Sequence, residues 1–124
     1  YCAEAFGENP LVGVDRMFRC VGTVQKTFPK LCVIGSGISY MREFIPNLAA
    51  GAINAGMMTM SGVGREAFAY PDFYKDILEK GHMEKNKCCI TCGKCTEIMR
   101  SGGTTGCVIK DNACYMPIYN HYCK

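Results

Sequence analysis

Two short apolar runs, each followed by a glycine-rich turn, constrain the fold of this chain more than any other feature. The runs are LCVI at 31–34 and MMTM at 57–60, and neither shows a clear alternation with polar residues. Runs of this kind are typical of strands that are buried on both faces of a parallel sheet. Because parallel neighbours need a crossover, usually a helix, the pattern predicts an α/β fold.

Three segments around these runs predict the helices of such a fold. Apolar residues recur at spacings near 3.6 over residues 11–28, which is typical of an amphipathic helix. A second helix is expected over about 41–55, with Pro46 near a bend or a late start. A third is expected over about 71–80, where Gly81 closes it. The order helix, strand, helix, strand, helix therefore follows from the sequence.

The length of the chain limits how complete this fold can be. The glycine loops start at Gly35 and Gly62, 27 residues apart, which suits one strand–helix–strand unit. An eight-stranded barrel needs roughly 250 residues, and a doubly wound sheet typically has about five or more strands. With 124 residues, the sequence indicates part of a longer chain.

The two glycine loops are candidate phosphate sites. Each follows a predicted strand and precedes a helix, where backbone N–H groups can approach an anion closely. Arg65 could add a bidentate grip on a phosphate. Glycine that merely turns the chain is the other interpretation, and the residues leave both open. The candidate residues are Gly35, Ser36 and Gly37 in the first loop and Gly64 and Arg65 in the second.

Four cysteines in the last third of the chain are candidate metal ligands. Cys89, Cys92, Cys95 and Cys107 have the spacing C-x2-C-x2-C-x11-C. Three closely spaced thiolates with a distant fourth recur in all-cysteine iron–sulfur sites. Zinc sites usually pair C-x2-C with a second, separate pair, and disulfides are disfavoured in a reducing cytosol. The spacing favours a cluster and leaves zinc and disulfides as alternatives.

The other cysteines show no metal-ligand spacing. Cys88 is adjacent to a candidate ligand and cannot easily face the same site, so we expect it to be a bystander. Cys20 and Cys32 lie in apolar patterns and are expected to be core residues. The remaining three are Cys2, Cys114 and Cys123.

Charge and hydropathy argue against two classes of partner. The net charge is +3 and the lysines and arginines are spread along the chain, so we expect no nucleic-acid partner. There is no run of about 18 apolar residues, so we expect no membrane span. No signal peptide is recognisable, and we expect a cytoplasmic protein.

The order of these motifs resembles a known enzyme family. A strand, GSG, a helix, a strand, GVGREAFAYPDF and the four cysteines resemble the C-terminal part of the FMN-binding barrel of Old Yellow Enzyme-like NADH:flavin oxidoreductases. The resemblance covers about 9–111 and is strongest to the iron–sulfur branch, which includes 2,4-dienoyl-CoA reductase and trimethylamine dehydrogenase. The spacing between the second and third cysteines is the trimethylamine dehydrogenase-like form.

The resemblance implies a (β/α)8 TIM barrel of which 1–86 is the C-terminal portion, the seventh and eighth units. It implies that 87–124 is a cysteine-rich [4Fe–4S]-binding segment with a tail. It further implies that the glycine loops hold the FMN phosphate and that the four cysteines hold the cluster. The matching positions are Gly35, Ser36, Gly37, Gly64 and Arg65 for FMN, and Cys89, Cys92, Cys95 and Cys107 for iron.

The activity implied by the resemblance is electron transfer from reduced nicotinamide, through the cluster and FMN, to a small unsaturated substrate. NADH and FAD would bind through regions outside this chain, and the parent or a partner chain would supply the other barrel units. A homo-oligomer is compatible with this expectation. The family's catalytic residues lie earlier in the barrel, so none is assigned here. The alternative is a small non-enzymatic binding module with a structural zinc or a disulfide-braced tail.

Overall fold

The computed structural model describes residues 7–124, and the chain divides into two compact units. The first unit ends at Gly64 and the second runs from Arg65 to Lys124. The predicted functional division into 1–86 and 87–124 stays a prediction.

The first unit begins with helix α1 (Pro10–Thr27), where the sequence predicts a helix over 11–28. The Asn9 side chain caps it by accepting a hydrogen bond from the Leu11 amide at 3.0 Å. Proline in the first turn costs no helical hydrogen bond, because its missing N–H would have had no partner there. Val14 and Phe18 lie on the buried face. This prediction is confirmed.

Two short strands follow α1 and pair in parallel. Strand β1 (Ile34–Gly35) pairs with β2 (Met60–Ser61), with Ile34 opposite Met60. The crossover between them contains a 3₁₀ segment (Ser39–Phe44) and helix α2 (Ile45–Asn54). The strand–helix–strand order predicted from the sequence is present in the structure.

The strands differ from the prediction in extent and in burial. The apolar runs predict two strands of four residues with both faces covered, yet each observed strand has two residues. Leu31, Ile34 and Met60 are 53%, 59% and 52% exposed. A strand extends only as far as its partners allow, and in the described residues these two strands pair only with each other.

Helix α2 starts later than the region predicted as helical. Arg42 has a φ of 51°, which interrupts the helical conformation inside the 3₁₀ segment, three residues before α2 begins at Ile45. Pro46 lies in the first turn of α2, so the late start that proline suggests is confirmed.

A buried glutamine ties α1 to the chain near both strands. Gln25 is only 9% exposed, and its amide nitrogen donates to the Leu31 carbonyl at 3.1 Å. Its amide oxygen accepts from the Thr59 hydroxyl at 2.8 Å. These hydrogen bonds satisfy a buried polar group and hold the starts of β1 and β2 against the helix.

The second unit is helical. Helix α4 (Phe73–Lys80) ends at Gly81, which adopts the left-handed conformation, as the sequence predicts. The Gly81 amide donates to the Ile77 carbonyl at 3.0 Å. Among the helices of the described residues, none has both the length and the apolar character needed to cross a bilayer. The helices of this unit are α3 (Arg65–Ala69), α4 (Phe73–Lys80), α5 (Lys94–Arg100) and α6 (Asn112–Cys123).

Helix α6 is not predicted by the sequence pattern. Its apolar residues lack a helical period and Pro117 lies inside it. Tertiary contacts stabilise it against α5, since the Tyr119 hydroxyl donates to the Glu97 carboxylate at 2.6 Å. The Lys94 ammonium also lies 5.0 Å from the centre of the Tyr119 ring.

Two cysteines are placed differently from the prediction. Cys20 and Cys32 were expected in the core, and both are exposed. Cys20 follows the buried Phe18 by two residues, which is about 200° around an α-helix, so it faces away from the core. Cys32 precedes β1, and the two-stranded sheet of the described residues does not extend to it. Cys2 lies outside the described residues.

Candidate metal centre

The four candidate metal ligands line one pocket of the second unit. Cys89 and Cys92 lie in the loop before α5, Cys95 lies in its first turn, and Cys107 lies between α5 and α6. The pocket lining is completed by Arg65, Phe68, Ile90, Gly93, Val108, Ile109 and Lys110. The structure therefore brings together residues separated by up to 18 positions in the cysteine motif.

The loop that carries the first two cysteines turns through two residues with positive φ. Thr91 has a φ of 57° and Gly93 has a φ of 82°. The left-handed conformation costs a β-branched residue such as threonine on the order of 1–3 kcal/mol, and strain of this size clusters at functional sites. The turn returns the chain so that Cys92 and Cys95 line the same pocket as Cys89.

Backbone amides donate hydrogen bonds to two of the four sulfur atoms. The Thr91 amide lies 3.3 Å from the Cys89 Sγ, and the Lys110 amide lies 3.4 Å from the Cys107 Sγ. Such donors stabilise the thiolate over the thiol, and hydrogen bonds to sulfur also tune the potentials of iron–sulfur clusters. They are therefore suited to ligands that become negatively charged.

The electrostatic surroundings of Cys89 are mixed. Burial is the main cause that raises the pKa of its thiol, and the Glu66 carboxylate and Cys95 raise it further. The Thr91 amide and the Arg65 guanidinium act in the opposite direction. A bound metal cation would outweigh these effects, because coordination deprotonates a thiol outright.

The donor set fits an all-thiolate metal centre. The pocket walls are mainly apolar, and neither His82 nor His121 lines them. Sulfur ligands of this number suit an iron–sulfur cluster or a structural zinc. In the part of the chain that the structure describes, no three His, Cys, Asp or Glu side chains already stand at metal-ligand geometry. No disulfide joins the cysteines of residues 7–124.

Cys88 lies outside this pocket although it precedes a candidate ligand. Its side chain is 0% exposed, and its thiol donates to the Glu84 carbonyl at 3.4 Å. The side chain therefore packs into the core of the second unit, away from the pocket.

A network of charged residues anchors the start of the cysteine loop. Asp76 is 6% exposed and accepts a hydrogen bond from the Tyr70 hydroxyl. Lys80 lies 2.8 Å and Lys87 3.1 Å from its carboxylate oxygens, and Glu84 contacts both lysines. Lys80 first, and then the Tyr70 hydroxyl, hold the pKa of Asp76 well below its usual range. Because Lys87 immediately precedes Cys88, the network ties α4 to the entrance of the loop.

The glycines of the first candidate phosphate loop have structural reasons to be glycine. A Cβ on Gly35 would collide with the Met58 side chain, and Gly37 has a φ of 87°. Ser36 between them is exposed. Nothing lies within 4 Å of a Cβ built on Gly64, so packing does not explain the absence of a side chain there. A phosphate role for these residues stays a prediction.

Arg65, Glu66 and Lys110 are the charged residues around the cysteine pocket. The sequence singles out Arg65 as a phosphate ligand; in the second unit its side chain lines the pocket with the four cysteines. Sequence reasoning missed Glu66 and Lys110. An acidic residue directly before the apolar AFAY run was the one signal that could have drawn attention to Glu66.

Comparisons with known proteins do not assign this chain to a family. No family model, no curated protein and no solved structure matches it.

Proposed function

We propose that this chain is the C-terminal part of a cytoplasmic oxidoreductase that depends on FMN and a [4Fe–4S] cluster. In this proposal, the enzyme passes electrons from reduced nicotinamide to a small unsaturated substrate. The observation that carries the proposal is that four thiols with an iron–sulfur spacing line one mainly apolar pocket, where backbone amides donate to two of the sulfurs.

Each group of residues has a distinct role in this proposal. Cys89, Cys92, Cys95 and Cys107 would hold the iron atoms, and the amides of Thr91 and Lys110 would donate to two ligand sulfurs. The glycine loops, with Arg65, would bind the FMN phosphate through backbone amides and a guanidinium. When bound, the cluster supplies one-electron transfer and FMN supplies hydride chemistry. Ile109, Val108 and Phe68 would give the cluster apolar neighbours in the pocket lining.

The exposed strands support the proposal that other barrel units cover this segment. Parallel sheets occur almost only with both faces covered, whereas Ile34 and Met60 are 59% and 52% exposed. An exposed apolar strand edge is also an aggregation hazard. We propose that the other units, from the parent chain or a partner chain, pair with β1 and β2 in a (β/α)8 barrel. NADH and FAD would bind outside this chain, and a homo-oligomer is compatible with the proposal.

The direct test is the metal content of the intact native polypeptide after anaerobic purification. We expect about four iron and about four sulfide per chain, with a broad brown absorbance beneath the flavin bands. Cys89→Ser should lower the iron content, whereas the adjacent Cys88→Ser should leave it unchanged. Stoichiometric zinc in a colourless protein would refute the proposal and favour a small binding module, as would disulfides that join these four cysteines.

A further inference from the structure

Glu66 is a buried residue whose carboxylate accepts a hydrogen bond from the backbone of a candidate metal ligand. Its residue is 0% exposed, and its Oε2 accepts a hydrogen bond from the Cys89 amide at 2.9 Å, across 23 residues of sequence. Burying a carboxylate is costly unless it is hydrogen-bonded. The hydrogen bond that offsets this cost comes from the backbone amide of one cysteine of the candidate metal centre.

Arg65 places the opposite charge at the same centre. It is the first residue of α3, directly before Glu66, and it lines the pocket together with Cys89. The two side chains therefore act on one ligand with charges of opposite sign. This agrees with their opposite effects on the Cys89 thiol described above.

Charges beside an iron–sulfur cluster act directionally on its reduction. Reduction adds one negative charge to a site that already carries four thiolates, so a neighbouring anion opposes reduction and a neighbouring cation favours it. Hydrogen bonds that orient the ligands also influence the reduction potential. A buried carboxylate and an arginine beside one ligand are therefore placed to change the reduction potential in opposite directions.

Building on the proposed function, we propose that Glu66 and Arg65 are paired positioning residues of the cluster. Glu66 fixes the Cys89 amide and lowers the reduction potential of the cluster, and Arg65 raises it.

The test is a redox titration of the cluster in intact Glu66→Gln and Arg65→Gln proteins. Electron paramagnetic resonance monitors the reduced cluster during the titration. Glutamine keeps an oxygen that can accept from the Cys89 amide while it removes the charge. We expect Glu66→Gln to favour the reduced cluster about tenfold, a rise of about 59 mV, and Arg65→Gln to shift the potential the other way. The matched control is Glu79→Gln, because Glu79 is an exposed acid of the same unit; it should shift nothing.

The outcomes separate this inference from the proposed function. If both variants keep about four iron and their potentials match the Glu79→Gln control, or shift in the same direction, the pairing is refuted and the cluster stands. If Glu66→Gln loses its iron while Arg65→Gln keeps it, Glu66 acts on assembly of the cluster and not on its potential, and the pairing is refuted. If the unmodified protein carries zinc, the proposed function fails and this inference fails with it.

Discussion

Replacing Ile98 with alanine tests whether core packing holds the cysteine segment in shape. Ile98 is 0% exposed and follows Cys95 by one helical turn. Its carbonyl accepts a hydrogen bond from the Gly103 amide at 3.0 Å. Alanine removes every side-chain carbon beyond Cβ, so the lost transfer free energy is about 2.4 kcal/mol at roughly 0.8 kcal/mol per carbon. Because the cavity adds to this, we expect a total loss of about 2–5 kcal/mol.

Native-state hydrogen exchange on the intact protein measures this loss where it occurs. The reporters are the amides of Ser101 and Gly103, whose hydrogen bonds lie at the end of α5. Since about 1.4 kcal/mol is tenfold, their exchange should accelerate roughly 30-fold or more in Ile98→Ala, and far less in Ile98→Val. Met99→Ala is the matched control, because Met99 is the next residue of α5 and is 58% exposed. Unchanged exchange in Ile98→Ala would refute the view that this packing holds the segment closed.

Three further predictions test other parts of the molecule. Under the proposed function, Arg65→Ala in the proposed longer protein should weaken FMN binding roughly ten- to a hundredfold, because a charged hydrogen bond contributes about 1.5–3 kcal/mol; flavin retained on dilution as in wild type would contradict the phosphate role. Gly106→Ala should destabilise the second unit, because its Cβ would collide with the Tyr115 ring, and a lower melting temperature would show this. Asp76→Asn should destabilise the protein at neutral pH in urea unfolding. Since the folded-state pKa of Asp76 is lowered, its contribution is present above the ordinary value of 3.8 and is lost as the pH falls through the folded value. The difference from wild type should therefore shrink in acid, and a difference independent of pH would contradict the network.

The helices with a clear apolar face could be predicted, and those stabilised by distant contacts could not. The face of α1 and the glycine stop of α4 are local signals, and the structure follows them. Helix α6 has no such face and contains Pro117, so only its contacts with α5 explain it. The positions of the strands could be predicted, but their lengths could not, because the length of a strand depends on partners that the local sequence does not contain.

The same distinction applies to the candidate site. The spacing of the four cysteines is a local signal, and they line one pocket in the structure. The role of Glu66 could not be predicted from its neighbours in the sequence, because its hydrogen bond comes from Cys89, 23 residues later. For Cys20 the local signal was misleading. Its apolar neighbours in the sequence predicted burial, but its position on α1 points away from the core and it is exposed.

The loop 81–93 between α4 and α5 is held by contacts with several parts of the second unit. Glu66 holds the Cys89 amide, Lys87 joins the Asp76 network at the entrance, and Ile98 fills the core beneath α5. Buried charged groups rarely add stability by themselves, so stability alone is a weak reason for placing a carboxylate against this loop. A loop that carries ligands has such a reason, because its backbone must hold the ligand residues near one another. These contacts fix the backbone around Cys89, whereas the sulfur atoms of the described residues do not stand at metal-ligand geometry, so a bound metal centre of the kind proposed above would complete their arrangement.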